Sequence, residues 1–183
     1  MAALLSLVLA LFTARVEGIS MWPTLREGDA LLVDKVGVRY SAPWRGDIVV
    51  ALEPGGAMFV KRVIAVPGDT IEIDGSGVRP VVLIQPAGSG PWRRLDEPYI
   101  GSTWSRKDFC CDAGGHDLGL TAPEPFRVPR ERFFLLGDNR DASTDSRRYG
   151  LFSRDQIVGR VLFRWWPPAD AGAVPARPNL VPA

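Results

Sequence analysis

The architecture of this 183-residue chain is best indicated by residues 58–66, Met-Phe-Val-Lys-Arg-Val-Ile-Ala-Val. The segment is rich in β-branched and apolar residues, which predicts a buried strand. Side chains alternate between the two faces of a strand, so Lys61 shares a face with Phe59, Val63 and Ala65. A lysine among apolar neighbours has a lowered pKa, and its neutral amine can act as a base. An edge strand whose cations extend to water is the alternative.

A nucleophile for such a base is available at Ser20, in the segment 20–25, Ser-Met-Trp-Pro-Thr-Leu. Pro23 restricts the backbone before it, so Ser20 is expected in a turn rather than in a helix. A serine in a turn can also do no more than hydrogen-bond its local backbone. Ser20 and Lys61 therefore form one joint hypothesis, a nucleophile with its base.

A polar loop, residues 137–147, follows the predicted strand 132–136. Its carboxylates can cap turns or pair with arginines, and the hydroxyl of Ser143 can accept a hydrogen bond from an amine without charging it. A calcium loop is the alternative, but the twelve-residue spacing with a closing glutamate is missing. The loop is predicted to support the lysine, and no metal site is expected.

Four segments of this chain resemble, in order, the conserved boxes of bacterial type I signal peptidases. They are 20–25 with 28–29, 45–50, 61–69 and 137–147. The similarity covers residues 17–74 and 128–166. It implies a mainly β fold, with an antiparallel β-sheet catalytic domain of the signal peptidase type, a loop-rich β insertion and few short helices.

The resemblance also implies roles for the matching residues. Ser20 would be the nucleophile and Lys61 the general base, with Ser143 orienting the lysine amine. Supporting residues, held by ion pairs with one another, would be Asp138, Asp145, Arg147 and Arg62. The backbone N–H of Ser20, with help from near Gly18, would bind the oxyanion, because this chain has glycine where some family members carry a serine. Pocket residues would be Met21, Leu25, Phe59 and Val60.

The implied activity is that of a membrane-associated serine endopeptidase that removes signal peptides from secreted preproteins after Ala-x-Ala-like sites. Its partners would be those preproteins and membrane lipid, with the chain at the cell membrane and the catalytic domain on the extracytoplasmic side. The chemistry needs no cofactor. The only histidine, His116, lies in the variable middle segment, which disfavours a Ser-His-Asp triad. A net charge of +1 gives no reason to expect nucleic acid.

Three other functions would each account for part of the sequence. A conjugation-type pilin-processing peptidase would use the same dyad and differ mainly in substrate. A non-catalytic β-rich binding module would explain the fold but leave the ordered polar boxes without a cause. A repressor-type autoprotease would need a DNA-binding domain, for which the chain has no room.

The chain is predicted to comprise an N-terminal apolar segment at 1–16, a catalytic β domain at 17–74 and 128–166, an insertion at 75–127 and a flexible tail at 167–183. The apolar run 2–14 is shorter than the roughly twenty residues that span a bilayer. It is expected to be the outer part of a membrane anchor that begins outside this sequence, or else a buried helix. The Pro- and Ala-rich tail is expected to be disordered.

Seven strands are predicted, at 30–34, 47–52, 58–66, 70–74, 78–85, 132–136 and 157–166. Residues 153–156 resemble a capping box and predict a single helical turn, while 86–127 are predicted to be loop-rich. Adjacent Cys110 and Cys111 are expected as free thiols or a local vicinal disulfide without a catalytic role. The six tryptophans favour a membrane interface, with core packing as the alternative for Trp165 and Trp166.

Overall fold

The computed structural model describes residues 10–100, 104, 124–174 and 178–183. Within these residues two one-turn helices form, α1 (Gly37–Tyr40) and α2 (Ser146–Tyr149). The strands are β1 Leu11–Arg15, β2 Ala30–Asp34, β3 Ile48–Leu52, β4 Met58–Ala65, β5 Thr70–Asp74, β6 Val81–Gln85, β7 Arg93–Asp96, β8 Phe126–Arg127, β9 Arg132–Leu136, β10 Phe152–Ser153, β11 Ile157–Trp166, β12 Gly172–Ala173 and β13 Asn179–Pro182. The mainly β fold with few short helices is thereby confirmed.

The first sheet has the order β1-β2-β11-β3-β4-β9-β10, with β12 paired to β11, and its pairings are antiparallel. Strand β4 lies between β3 and β9, with Lys61 opposite Val49 of β3. Strand β9 pairs with β4 only from Arg62 to Ala65. The other half of β4, which carries Lys61, therefore has one edge without a strand partner among the described residues.

Apolar side chains cover the first sheet on both faces. Ile48 and Val50 of β3 belong to one cluster, together with Met21 and Leu25 from the turn that follows β1. Val49 and Ala51, which point to the opposite face because side chains alternate along a strand, belong to another. Burial on both faces explains why the sequence of β3 is continuously apolar.

The second sheet has the order β13-β7-β6-β5-β8 and is also antiparallel. Ile71 and Ile73 of β5 pack in one cluster with Phe134 and Leu136 of β9. The second sheet therefore rests against the part of the first sheet that leads into the polar loop 137–147.

The predicted strand bounds agree with the structure for β2, β5, β9 and β11, and the predicted strands at β3, β4 and β6 are one to three residues too long. The turn at Arg154–Gln156 is confirmed as a 3₁₀ helix, with the Ser153 N–H donating to the Gln156 side chain at 2.8 Å.

One expectation about organisation was wrong in the described residues. The tail was expected to be disordered, but β13 pairs with β7 along its whole length. The partner strand β7 lies within the segment 86–127, which is predicted to be loop-rich. Both strands are short and polar or proline-bounded, so only their mutual pairing reveals them.

Residues 11–14, expected in a membrane anchor or a buried helix, lie instead in strand β1, which pairs with β2 from Leu11 to Arg15. In the part of the chain that the structure describes, no helix combines the length and apolarity needed to cross a bilayer. Cys110, Cys111 and His116 lie outside the described residues.

Candidate active site

The structure brings the two groups of the joint hypothesis into contact. The Nζ atom of Lys61 lies 2.8 Å from Ser20 Oγ, across 41 residues of sequence. The amine also donates to the carbonyl of Val60 at 3.0 Å and lies 4.6 Å from the ring centroid of Phe59. Only 3% of Lys61 is exposed, so its amine is held at the hydroxyl and away from bulk water.

Burial lowers the pKa of Lys61 from 10.5 to about 8, although the charges of Asp145, Asp138 and Glu53 act in the opposite direction. With a pKa of about 8, roughly a tenth of the amine is neutral at pH 7, compared with well under a thousandth at the ordinary value. A neutral amine can accept the Ser20 hydroxyl proton across the same 2.8 Å contact.

The turn that carries Ser20 is anchored on both sides. The side chains of Met21 and Leu25 are almost fully buried in the core. Within the turn, the Trp22 N–H donates to the Ile19 carbonyl at 3.0 Å. Gly18, just before it, has φ +76, a left-handed conformation that a serine would adopt only with strain. This backbone gives a physical reason for glycine at position 18 of this chain.

The loop 137–147 packs against the turn that carries Ser20. The Asn139 N–H donates to the Ser20 carbonyl at 3.0 Å, and the Asn139 amide donates to the Ile19 carbonyl at 3.1 Å. A methyl group built on Gly137 would lie 2.5 Å from the Ser20 carbonyl oxygen and would also collide with Ser143. Glycine at 137 therefore allows the close approach of the two backbones.

Two buried ion pairs hold this loop. Arg62 donates to both oxygens of Asp138, at 2.9 and 2.7 Å, and both side chains are fully buried. Arg147 likewise contacts both oxygens of Asp145, at 2.9 and 3.0 Å. Burial alone would raise the pKa of Asp145, but the charge and hydrogen bonds of Arg147 and the Gly137 N–H hold it below the usual value. Asp145 therefore stays ionised beneath the loop.

Ser143 sits beside Gly137, but no hydrogen bond joins its hydroxyl to Lys61. The hydroxyl is buried, makes no well-aligned hydrogen bond, and lies near enough to Asp145 to help lower that pKa. The role of Ser143 in orienting the lysine therefore stays a prediction. Within the described ranges, no three metal-ligating side chains come together to hold an ion.

A cavity of about 520 Å³ opens beside Ser20. Of the predicted pocket residues, Met21, Phe59 and Val60 line it, whereas Leu25 does not and lies buried in the core with Met21. The lining that the sequence did not indicate comes mainly from β1 and the residues after it: Phe12, Thr13, Ala14, Arg15, Val16 and Glu17. Strand β1 thus contributes a wall of the cavity.

Sequence reasoning also missed the contribution of the insertion. Arg140 forms a buried ion pair with Glu97, and its guanidinium lies 4.6 Å from the ring centroid of Trp104. The guanidinium of Arg62 lies 3.9 Å from the ring centroid of Tyr99. These three insertion residues lie in a segment without periodicity, so their partners could not be found from sequence.

Gly137→Ala is expected to lower kcat/KM by about 100-fold or more. The added methyl group would displace Ser20 or the loop, and a shift of about 1 Å at the reacting atoms can cost that much. Gly172→Ala is the matched control, because a methyl group there meets nothing within 4 Å. Steady-state cleavage kinetics of both variants check this, and equal rates for the two would contradict it.

The chain is similar to signal peptidases over most of its length. The model of the family described as signal peptidase, peptidase S26, matches residues 1–166. Signal peptidase IB of Staphylococcus aureus (strain COL) is 36% identical over 155 residues, which cover 83% of this chain and 76% of that protein. Signal peptidase I of Leptolyngbya laminosa is 34% identical over 192 residues, covering 96% of this chain and 82% of that protein. A crystal structure of a signal peptidase I from Enterococcus faecalis matches 66% of this chain and 97% of its own, with 25% identity and a TM-score of 0.44.

Proposed function

Because the chain belongs to the signal peptidase family S26 and is a serine endopeptidase, we propose that it cleaves secreted preproteins after Ala-x-Ala-like sites with Ser20 as nucleophile and Lys61 as general base. The observation that carries this proposal is the 2.8 Å contact between Lys61 Nζ and Ser20 Oγ at a nearly buried amine. Desolvation gives that amine the lowered pKa that a lysine base requires.

The proposed reaction has two halves. Ser20 Oγ attacks the carbonyl carbon of the residue before the scissile bond, and Lys61 accepts the hydroxyl proton. The Ser20 N–H stabilises the oxyanion, and the Lys61 ammonium then gives its proton to the leaving amine. Water hydrolyses the resulting ester, with the same lysine accepting the proton of the attacking water.

The substrate is proposed to bind as an extended strand. Met58, Phe59 and Val60 lie on the half of β4 whose second edge has no strand partner among the described residues, and they line the cavity beside Ser20. A peptide added to this edge would gain main-chain hydrogen bonds, and its alternate side chains would enter the cavity. The apolar side chains of Met21, Phe59 and Val60 in the cavity lining suit small apolar side chains, such as alanine, one and three residues before the cut.

A cleavage assay with a purified preprotein tests this function. The wild-type protein should release the signal peptide, with N-terminal sequencing of the product placing the cut after Ala-x-Ala. A matched preprotein with tryptophan in place of the alanine before the cut should resist cleavage. No cleavage of the first substrate, or equal cleavage of both, would contradict the proposal.

Cleavage is expected to depend on pH through the Lys61 amine. Its lowered pKa, about 8, is set by burial, and only the neutral form can accept the Ser20 proton. The value of kcat/KM should therefore rise about tenfold per pH unit below pH 8 and level off above it. A pH profile measured with the preprotein checks this, and a flat profile between pH 6 and pH 9 would contradict it.

Membrane association is proposed for the surface at the end of β11, where the apolar side chains of Leu162, Phe163, Trp165 and Trp166 are exposed. The two indoles also line a second cavity together with Arg15 of β1. Strand β1 is the strand that forms a wall of the cavity beside Ser20. Indoles favour the membrane interface. This surface would place the catalytic domain at the membrane from which signal peptides emerge, on the extracytoplasmic side.

Replacing Trp165 and Trp166 together by serine is expected to lower binding to liposomes about tenfold or more. The reason is the loss of two large interfacial side chains, each about half exposed. Trp44→Ser is the matched control, since Trp44 is also exposed and lines neither cavity. Sedimentation with liposomes measures the effect. Equal binding by the double variant and the control would remove this surface from the proposal.

A further inference from the structure

The peptide group between Ile19 and Ser20 is held from two sides. Its carbonyl oxygen, that of Ile19, accepts one hydrogen bond from the Trp22 N–H at 3.0 Å and one from the Asn139 amide at 3.1 Å. Both acceptor positions of this carbonyl are therefore filled. Because a peptide group is planar, fixing the carbonyl also fixes the direction of the N–H at its other end.

That N–H belongs to Ser20, and it donates to no acceptor among the described residues. It is therefore available to a negative charge that develops next to Ser20 Oγ. Gly18 carries no hydroxyl that could act as a second, side-chain donor. The oxyanion is thus stabilised by backbone N–H groups. Its stabilisation therefore depends more strongly on the direction of the Ser20 N–H than it would if a side-chain hydroxyl also donated to it.

We propose that Asn139 is a positioning residue whose amide aims the Ser20 N–H at the oxyanion through the Ile19 carbonyl. A hydrogen bond accepted by a peptide carbonyl also polarises the same group and strengthens donation from its N–H. Asn139 thus acts on the transition state without contacting the substrate. This inference rests on the proposed function.

The side chain of Asn139 can be tested separately from its backbone. The backbone N–H donates to the Ser20 carbonyl at 3.0 Å and ties the loop 137–147 to the turn that carries Ser20. A change of side chain keeps this tie and removes only the contact with Ile19. A role confined to holding the loop would therefore survive the change, whereas a role in aiming the oxyanion donor would not.

The experiment compares Asn139→Ala and Asn139→Asp with the wild-type protein. Aspartate has the shape of asparagine, but its ionised carboxylate cannot donate to the Ile19 carbonyl. Thr144→Ala is the matched control, because Thr144 lies in the same loop and is exposed. For each protein, kcat and KM are measured with the Ala-x-Ala preprotein, and melting temperatures verify the fold.

A second readout uses a peptide aldehyde with an Ala-x-Ala sequence. Its carbonyl carbon forms a bond to Ser20 Oγ while the hydroxyl proton passes to Lys61, which creates an oxyanion in the same place. The matched peptide alcohol has no carbonyl carbon at that position and forms no such adduct. The ratio of the two inhibition constants therefore reports on the oxyanion site and not on peptide binding.

We expect Asn139→Ala and Asn139→Asp each to lower kcat about tenfold or more, with KM changed less than threefold. Aldehyde affinity should fall by a similar factor, while alcohol affinity stays the same. The pH profile of Asn139→Ala should keep the apparent pKa of the wild type, because Asn139 does not contact Lys61.

Three outcomes would overturn the inference: kcat of Asn139→Ala within twofold of wild type, full activity of Asn139→Asp, or equal losses for the aldehyde and the alcohol. In each case cleavage by the wild-type protein would leave the proposed function standing. Failure of the wild type to cleave the preprotein would remove both.

Discussion

Lys61→Met should lower kcat/KM by about 1,000-fold or more and leave the fold intact. Methionine fills a similar volume in the apolar site but has no basic nitrogen, so the Ser20 hydroxyl loses its proton acceptor. General bases contribute about 10²–10⁴-fold, and here the same amine would serve both halves of the reaction. Initial rates of preprotein cleavage, together with circular dichroism spectra, measure the two parts of this expectation.

Two other variants define the controls for this result. Ser20→Ala removes the other member of the 2.8 Å contact and should cause a loss of the same order. Lys35→Met makes the same chemical change at an exposed lysine and should leave the rate unchanged. A Lys61→Met protein that cleaves at the rate of the Lys35→Met protein would refute the assignment of the base.

Arg62→Met should lower the free energy of unfolding by about 3–5 kcal/mol. Arg62 and Asp138 are fully buried and joined by two hydrogen bonds. Removing one partner of such a pair leaves an uncompensated buried charge, which is the costly case. Denaturant unfolding of the purified variant, followed by fluorescence, measures the change.

The ion pair between Arg154 and Glu131 offers a comparison at the surface. Its atoms are 3.7 Å apart, and 68% of the Glu131 side chain is exposed. Glu131→Gln should change the free energy of unfolding by less than about 1 kcal/mol. If Arg62→Met cost no more than this surface change, the buried pair would not be what holds the loop 137–147 to β4.

The sequence predicted best what one segment could show by itself. The apolar residues of 58–66 indicated a buried strand but left two interpretations of Lys61 open, a buried amine and an edge-strand cation that extends to water. The exposed fraction of 3% decides for the buried amine. The turn at Pro23 and the strand before Gly137 were likewise visible as local patterns. The contact between Lys61 and Ser20 was reached only by joining two segments, because no local pattern encodes a distance across 41 residues.

The features that the sequence did not predict depend on distant partners. Strand β1 was assigned to an anchor or a helix because an apolar run fits several structures, and only its pairing with β2 decides. Strand β13 was missed for a similar reason, because only its pairing with β7 distinguishes it from a disordered tail. Asn139 lies in a polar loop, where an asparagine usually caps a turn. Its bond to Ile19, 120 positions earlier, has no sequence signal.

The dry setting of the Lys61 amine also weakens the folded state. A pKa of about 8 in place of 10.5 corresponds to roughly 3 kcal/mol. Between these two pH values the unfolded chain binds more protons than the native one, so stability rises with pH across that window, and the full penalty is present below it. Near neutral pH the protein should therefore have a lower melting temperature than a variant with an apolar residue at position 61. Selection for thermal resistance alone would tend to eliminate this lysine, and with it the proposed general base.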